Sequence, residues 1–371
     1  MTVICEFPNY PTGKLKPEDK WRLFRIEDNG SYKIIRTFVL AFAKKNNIKR
    51  LLFYLSFAFS SFWAILFSKR HDVVMTSSPP IFHAFSAMLA SKIKRSKFVL
   101  DIRDLWPDSA QEVEAVSNTR LLKLGGFLER NIYENALAIF TVSKGMQNKV
   151  IERGGNDKTY ISYNGSLESI LDWSGDIDEF RKAKGWSAKI VIMYAGILGM
   201  GQNIQALLPE IRDINLKSEE IIFIGDGPDG CVIKEYINKH NLDDVKIMES
   251  VSQSGVISFL YSADILLVIL RENDFFKNAI PSKFFDYMAA GKPIISNVNG
   301  EMREIMEKYN TGLYFSLAEK GSFERALKTL IDNPGLRQEM GNNGKKLVAE
   351  KFLRSNLALE MVKQIEKSAG L

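Results

Sequence analysis

The residues best equipped for chemistry lie between Pro281 and Pro293, in the run Pro-Ser-Lys-Phe-Phe-Asp-Tyr-Met-Ala-Ala-Gly-Lys-Pro. Proline at its start and Gly291 near its end bracket a short helix. Free N–H groups at such a helix start attract an anion, phosphate above all. Ser282 and Lys283 fall in the first turn, and Asp286 follows one turn further on the same face. Anion donors with a carboxylate one turn deeper suit a nucleoside diphosphate whose ribose hydroxyls need an acceptor. Lys283 also has a structural use open to it, an i,i+3 pair with Asp286 worth about a few tenths of a kcal/mol.

Two more strand-to-helix junctions carry glycines, which let backbone amides approach a phosphate closely. Gly196, Gly199 and Gly201 follow a strand pattern at 189–194, and Gly225 and Gly227 follow one at 220–224. The spacing is not that of the dinucleotide fingerprint, and either loop alone is compatible with a mere tight turn. Three junctions of this kind in one domain point to a nucleotide site. Val251, beyond a strand at 245–249, joins these donor-side candidates. The apolar run 264–270 reads as the buried strand preceding the Pro281 helix. That helix start therefore faces the crevice beyond the strand's carboxyl end, where open α/β sheets bind ligands.

Strand and helix patterns alternate along most of the chain, which predicts parallel βαβ units. In the first half, strands fit at 2–6, 32–37, 72–76, 97–102, 138–142 and 158–163. In the second, they fit at 189–194, 220–224, 245–249, 264–270, 293–296 and 311–315. Residues 166–188 turn polar and lose the strand pattern, and read as a linker. The expected organisation is a first domain over 1–165 and a second over 189–350. A last helix, 351–371, is expected to return to the first domain. Two doubly wound α/β domains facing across a cleft are the simplest architecture.

With 371 residues, 46% hydrophobic and 25% charged, the chain has the composition of a soluble globular protein. The net charge of +6 is modest and gives no sign of a nucleic-acid partner. Basic residues nevertheless cluster in the first hundred positions, around the apolar run 51–67. That run would span roughly 25 Å as a helix, short of the ~30 Å hydrocarbon core, with basic residues on both flanks. It is read either as an interfacial helix contacting anionic headgroups and a lipid-borne acceptor, with Phe57 and Trp63 supplying bulk, or as a buried core helix. Two unpaired cysteines, Cys5 and Cys231, imply a reducing compartment and no disulfide framework. Three histidines lack metal-ligand spacing. Asp176-Ile177-Asp178 falls in the polar stretch rather than after a buried strand, which argues against a metal-binding acid pair.

In order along the chain, the segments 7–13, 101–109, 141–143 and 164–165, then 194–199, 225–228 and 281–293, resemble family 4 retaining glycosyltransferases of the GT-B fold. The similarity is greatest to the bacterial branch that builds O-antigen and capsule sugars, including L-fucosamine-type transferases. The resemblance implies a nucleotide sugar, UDP-linked, in the second domain. It implies a polyprenyl-diphosphate-linked saccharide acceptor in the first, at the cytoplasmic membrane surface, and no cofactor or obligatory metal. Without a metal, the departing diphosphate must be met by fixed cations and amides, for which Lys283, Lys277, the Gly199–Gly201 amides and the helix start at Pro281 are candidates. Asp286 takes the place of the second acid of the family's E-x7-E pattern, while the first falls on Asn278, which cannot carry charge. Where many relatives place a histidine, this chain has Arg103, followed by Asp104. Arg103 cannot act as a base, but it can hold a phosphate or Asp104. The loop of Asn9, Tyr10 and Gly13 is the acceptor-side candidate. Relative to the family, the first domain is expected to lack an initial strand–loop–helix. Two other readings stay open: a sugar-nucleotide epimerase of similar shape, and a remnant that binds nucleotide or membrane without turnover.

Overall fold

The computed structural model describes residues 1–9, 12–43, 46–106, 108 and 119–371, with backbone alone at 119–121, 156 and 278. The chain divides into two compact units, residues 1–161 with 361–371, and residues 162–360.

The first unit has two sheets among its described residues. β1 (Thr2–Glu6), β2 (Phe24–Asp28) and β3 (Lys33–Thr37) form one, in the order β1-β3-β2. β2 is antiparallel to β3 and was not expected. Its signal was present: Asn29-Gly30 after an alternating run is a hairpin turn, and Gly30 takes φ 75°. β4 (Val73–Ser78), β5 (Lys97–Ile102), β6 (Ala138–Thr141) and β7 (Thr159–Ile161) form the other, parallel and in sequential order. Met361 and Ile365 of the last helix, Arg354–Ala369, pack against Val99, Ala138 and Phe140.

The apolar run seen in the sequence lies in a helix of 21 residues, Asn47–Phe67, one turn longer because Asn46 caps it by accepting from Lys49 N. By length and composition this helix is sufficient to cross a membrane. One face docks on the helix Ile81–Lys94 and on β1 and β3. Ser56 and Ser60 do part of that docking. Ser60 Oγ donates to Phe38 O at 2.6 Å, and Ser56 Oγ accepts from Leu40 N at 2.9 Å. Phe57 belongs to the inner side, stacked on His83 at 4.6 Å between ring centroids, so it is not the lipid-facing aromatic the sequence suggested. The opposite face exposes Leu52, Leu55, Phe59, Trp63 and Phe67.

The second unit is a single six-stranded parallel sheet. Its strands are β8 (Ile190–Ala195), β9 (Glu219–Ile224), β10 (Val245–Met248), β11 (Ile265–Val268), β12 (Ile294–Ser296) and β13 (Gly312–Tyr314), ordered β10-β9-β8-β11-β12-β13. Numbered from the first strand this is the doubly wound order 3-2-1-4-5-6, whose direction reverses between β8 and β11. Successive residues of one strand feed opposite cores. Val191, Met193 and Ala195 join one with Phe284, Phe285 and Met288, whereas Ile192 and Tyr194 join the other with Leu207 and Ile233. Burial on both faces is why the central strands β8 and β11 read as continuous apolar runs.

Residues 166–188 do not form a free linker. They contain the helices Glu168–Leu171 and Ile177–Lys184, held to the second core by Trp173 on Tyr261 and Phe180 on Phe259. Arg181 adds hydrogen bonds to Ser262 O and to Asp264 Oδ2. The outward polar face of these short helices hid their apolar anchors in the sequence.

Candidate active site

The donor-side candidates converge because the sheet brings strand ends together. Gly196 follows β8, Gly225 and Gly227 follow β9, Val251 lies beyond β10, and the helix Ser282–Ala289 begins after β11. All stand at the carboxyl edge, around the point where strand order reverses. The loops after β8 and β9 are stitched backbone to backbone: Gly196 N donates to Ile224 O at 2.8 Å, Leu198 N to Asp226 O at 2.9 Å, and Asp229 N to Leu198 O at 3.0 Å. Gly225 has φ 148°, and a Cβ there would overlap Gly196 O. Its glycine is demanded by this loop-on-loop packing. Gly199 O closes a turn by accepting from Gln202 N, and Gly201 O accepts from Arg271 N, tying the first glycine loop to the segment after β11.

Pro281 is the cap residue of the short helix, and Ser282 is exposed at its first position. The Lys283 ammonium reaches the end of β8. Its Nζ stands 3.8 Å from the centroid of the Tyr194 ring and occupies the space a side chain at Gly196 would need. That nitrogen is buried and has no hydrogen-bond partner. The i,i+3 pair with Asp286 is not made. Burial alone pushes the Lys283 pKa down, to about 7. Tyr194 keeps its ring in place by donating its hydroxyl to Ile197 O at 2.7 Å.

Asp286 accepts from Ser166 Oγ at 2.7 Å, and burial raises its pKa. Ser166 is fixed in turn by Phe352 O and Arg354 N. One Asp286 oxygen is thus engaged inside the unit, which sequence spacing could not reveal because Ser166 lies 120 positions away. The side chain of Asn278 lies outside the described residues.

Lys277 is not brought to the buried amine's slot by any contact. It sits in the surface turn Phe276–Asn278, paired with Asp274 at 2.7 Å, and with Arg271 and Tyr314 it lines a separate cavity of about 500 Å³ beyond β11, β12 and β13.

In the first unit, Arg103 follows β5. Its Nε donates to Asp101 Oδ2 at 2.6 Å, and Ser77 Oγ donates to the same oxygen at 3.1 Å. Asp101, at the end of β5, is the buried carboxylate here and was passed over in the sequence, where it looked like part of an apolar strand. Asp104 follows one residue after Arg103, past the same strand end. Asn9 is buried, and its amide donates to Glu6 Oε1 at 2.9 Å and to Phe7 O at 3.0 Å, so this side chain serves its own loop. Gly13 closes that loop onto Asn9 O and packs against Phe42 O. Tyr10 lies outside the described residues.

Two α/β units of this kind, one with its nucleotide-type edge at a strand reversal, define a two-domain GT-B fold. Residues 176–347 match the family Glycosyl transferases group 1, and residues 19–165 match the Glycosyl transferase 4-like domain. The chain is a glycosyltransferase. It is similar to the "Putative colanic acid biosynthesis glycosyl transferase WcaI" of Escherichia coli strain K12, 25% identical over 78% of this chain and 73% of the relative. It is also similar to the "Probable glycosyltransferase WbjE" of Pseudomonas aeruginosa, 24% identical over 68% of this chain and 66% of the relative. Among solved structures, HepE of Anabaena in complex with UDP superposes with a TM-score of 0.72 at 13% identity, over 99% of each chain.

Proposed function

We propose that the chain transfers a sugar, with retention of configuration, from a UDP-sugar to a saccharide borne on polyprenyl diphosphate, in the assembly of a bacterial surface polysaccharide such as O-antigen or capsule. The observation that carries the reading is the buried, unpartnered Lys283 nitrogen beside a helix start at the strand-reversal edge of the second unit. In a glycosyltransferase that place suits a donor diphosphate. Amides of the helix start and the Lys283 nitrogen meet the charge that builds on the departing diphosphate, without a metal. Asp286 stands one turn above for the ribose, and Arg103, steadied by Asp101, for an acceptor phosphate. The names of the relatives from Escherichia coli and Pseudomonas aeruginosa and the UDP complex of HepE agree with this reading.

The test is incubation of the full chain with a panel of radiolabelled UDP-sugars and lipid extract from a polysaccharide-producing bacterium, with and without EDTA. Label moving into the lipid phase in both conditions is the expected result. UDP binding with neither transfer nor hydrolysis would reduce the chain to a nucleotide-binding remnant.

The working place proposed is the inner face of the cytoplasmic membrane. The stripe Leu52, Leu55, Phe59, Trp63 and Phe67 is exposed, and Lys49, Arg50, Lys69 and Arg70 lie at the helix ends, a pattern suited to an anionic bilayer surface. Changing Phe59 and Trp63 together to serine is expected to reduce cosedimentation with vesicles containing phosphatidylglycerol at least several-fold. Unchanged partitioning would rule the stripe out as the anchor.

A further inference from the structure

A lysine amine sealed against an aromatic ring with no carboxylate beside it is an unusual way to prepare an anion site. Among the described residues Lys283 Nζ is the one buried side-chain nitrogen without a hydrogen-bond partner. The titratable groups around it are committed elsewhere. Tyr194 donates to Ile197 O, Tyr287 bonds the backbone of Ala195, Asp286 takes Ser166 and Asp226 takes Ser250. Among the described residues no acid forms an ion pair with Lys283. The nitrogen faces the Tyr194 ring and the glycine turn after β8, while the helix start next to it offers free N–H groups.

We propose that Lys283 stands largely as a neutral amine in the empty site and that a nucleoside diphosphate enters together with one proton from solvent, which settles on Lys283 Nζ. The proposal rests on the nucleotide-site reading above and adds a proton to its ligand. Charging a desolvated amine is unfavourable alone and favourable beside a diphosphate, and the lowered pKa of about 7 agrees with the geometry. A bound diphosphate raises that value. Above about pH 7 the free protein therefore holds fewer protons at this nitrogen than the complex does, and affinity falls as pH rises, toward tenfold per unit. The diphosphate itself is fully ionised over this range, its last proton leaving near pH 6 or about there.

The experiment is isothermal titration of UDP into the full chain from about pH 7 to about pH 9, each point in two buffers of different ionisation enthalpy. The expected result is uptake of close to one proton at the alkaline end and roughly a tenfold loss of affinity per pH unit. Lys283→Met is expected to bind more weakly, with neither proton uptake nor pH slope. Lys283→Arg, permanently charged, is expected to bind without proton uptake. UDP binding by the wild-type chain with no proton uptake and a flat pH profile would overturn the proposal while leaving the transferase reading intact. The same uptake in Lys283→Met would also overturn it. Absence of any UDP binding would overturn both. The wild-type titration decides the matter even if a variant does not fold.

Discussion

Lys283→Met is expected to raise the midpoint of thermal unfolding while lowering turnover about 100-fold, the scale of losing one charge-stabilising donor. The two effects have one cause. In the folded, empty protein the Lys283 pKa lies near 7, against 10.5 for an ordinary lysine. Below 10.5 the unfolded chain takes up a proton that the folded chain resists, so folding stability is lost as pH falls from that value toward 7 and stays low beneath it. Each unit of lowering corresponds to about 1.4 kcal/mol, and methionine, of similar length and apolar, removes the penalty while filling the slot. The stabilisation is expected to be largest at neutral and acidic pH and to vanish near pH 10 or about there. Calorimetry across pH, set beside steady-state transfer rates, makes the comparison. A fall in melting temperature that tracks the fall in turnover would mean the lysine is an ordinary packing residue.

Gly225→Ala is expected to damage the same edge by a different route. A Cβ at 225 would occupy the position of Gly196 O, and the backbone there has φ 148°, which alanine adopts poorly. Relief requires the loops after β8 and β9 to part, straining the three backbone hydrogen bonds that join them. At about 1 kcal/mol for each of the three bonds plus about 1–3 kcal/mol of backbone strain, the loss is about 4–6 kcal/mol. UDP binding should fall with it, because Gly196 and the Lys283 slot move together. Gly230→Ala is the control. Gly230 opens the helix Gly230–Lys239, and a Cβ there meets only Leu198 Cδ1 at 3.7 Å, an ordinary contact. Urea denaturation of the two variants separates the outcomes, and equal stability of both would show that the loops yield freely.

Strands β8, β9, β11 and β12 were readable because each is buried along nearly its whole length and so carries an apolar run, whereas β10 and β13, at the two ends of the sheet, are only partly buried. Proline at 281 and glycine at 291 marked the ends of the short helix for the same local reason: each residue type prefers one backbone conformation. β2 carries a local turn signal at Asn29-Gly30, but its apolar side chains, Phe24 and Ile26, are exposed, so no buried run marks it as a strand. The helices within 166–188 escaped because single aromatic anchors, Trp173 and Phe180, hold them to residues some eighty positions later.

At the site, local pattern was enough to name Ser282, Lys283 and Asp286 and to place them in one short helix that begins after β11. It could not say what they touch. That Lys283 turns from Asp286 to the Tyr194 ring, that Asp286 meets Ser166, and that Arg103 rests on Asp101 depend on packing between distant segments. Backbone preference is written into neighbouring residues, and so are helix ends and strand runs. The solvation of a buried charge depends on everything folded around it, and no short stretch of chain contains that information.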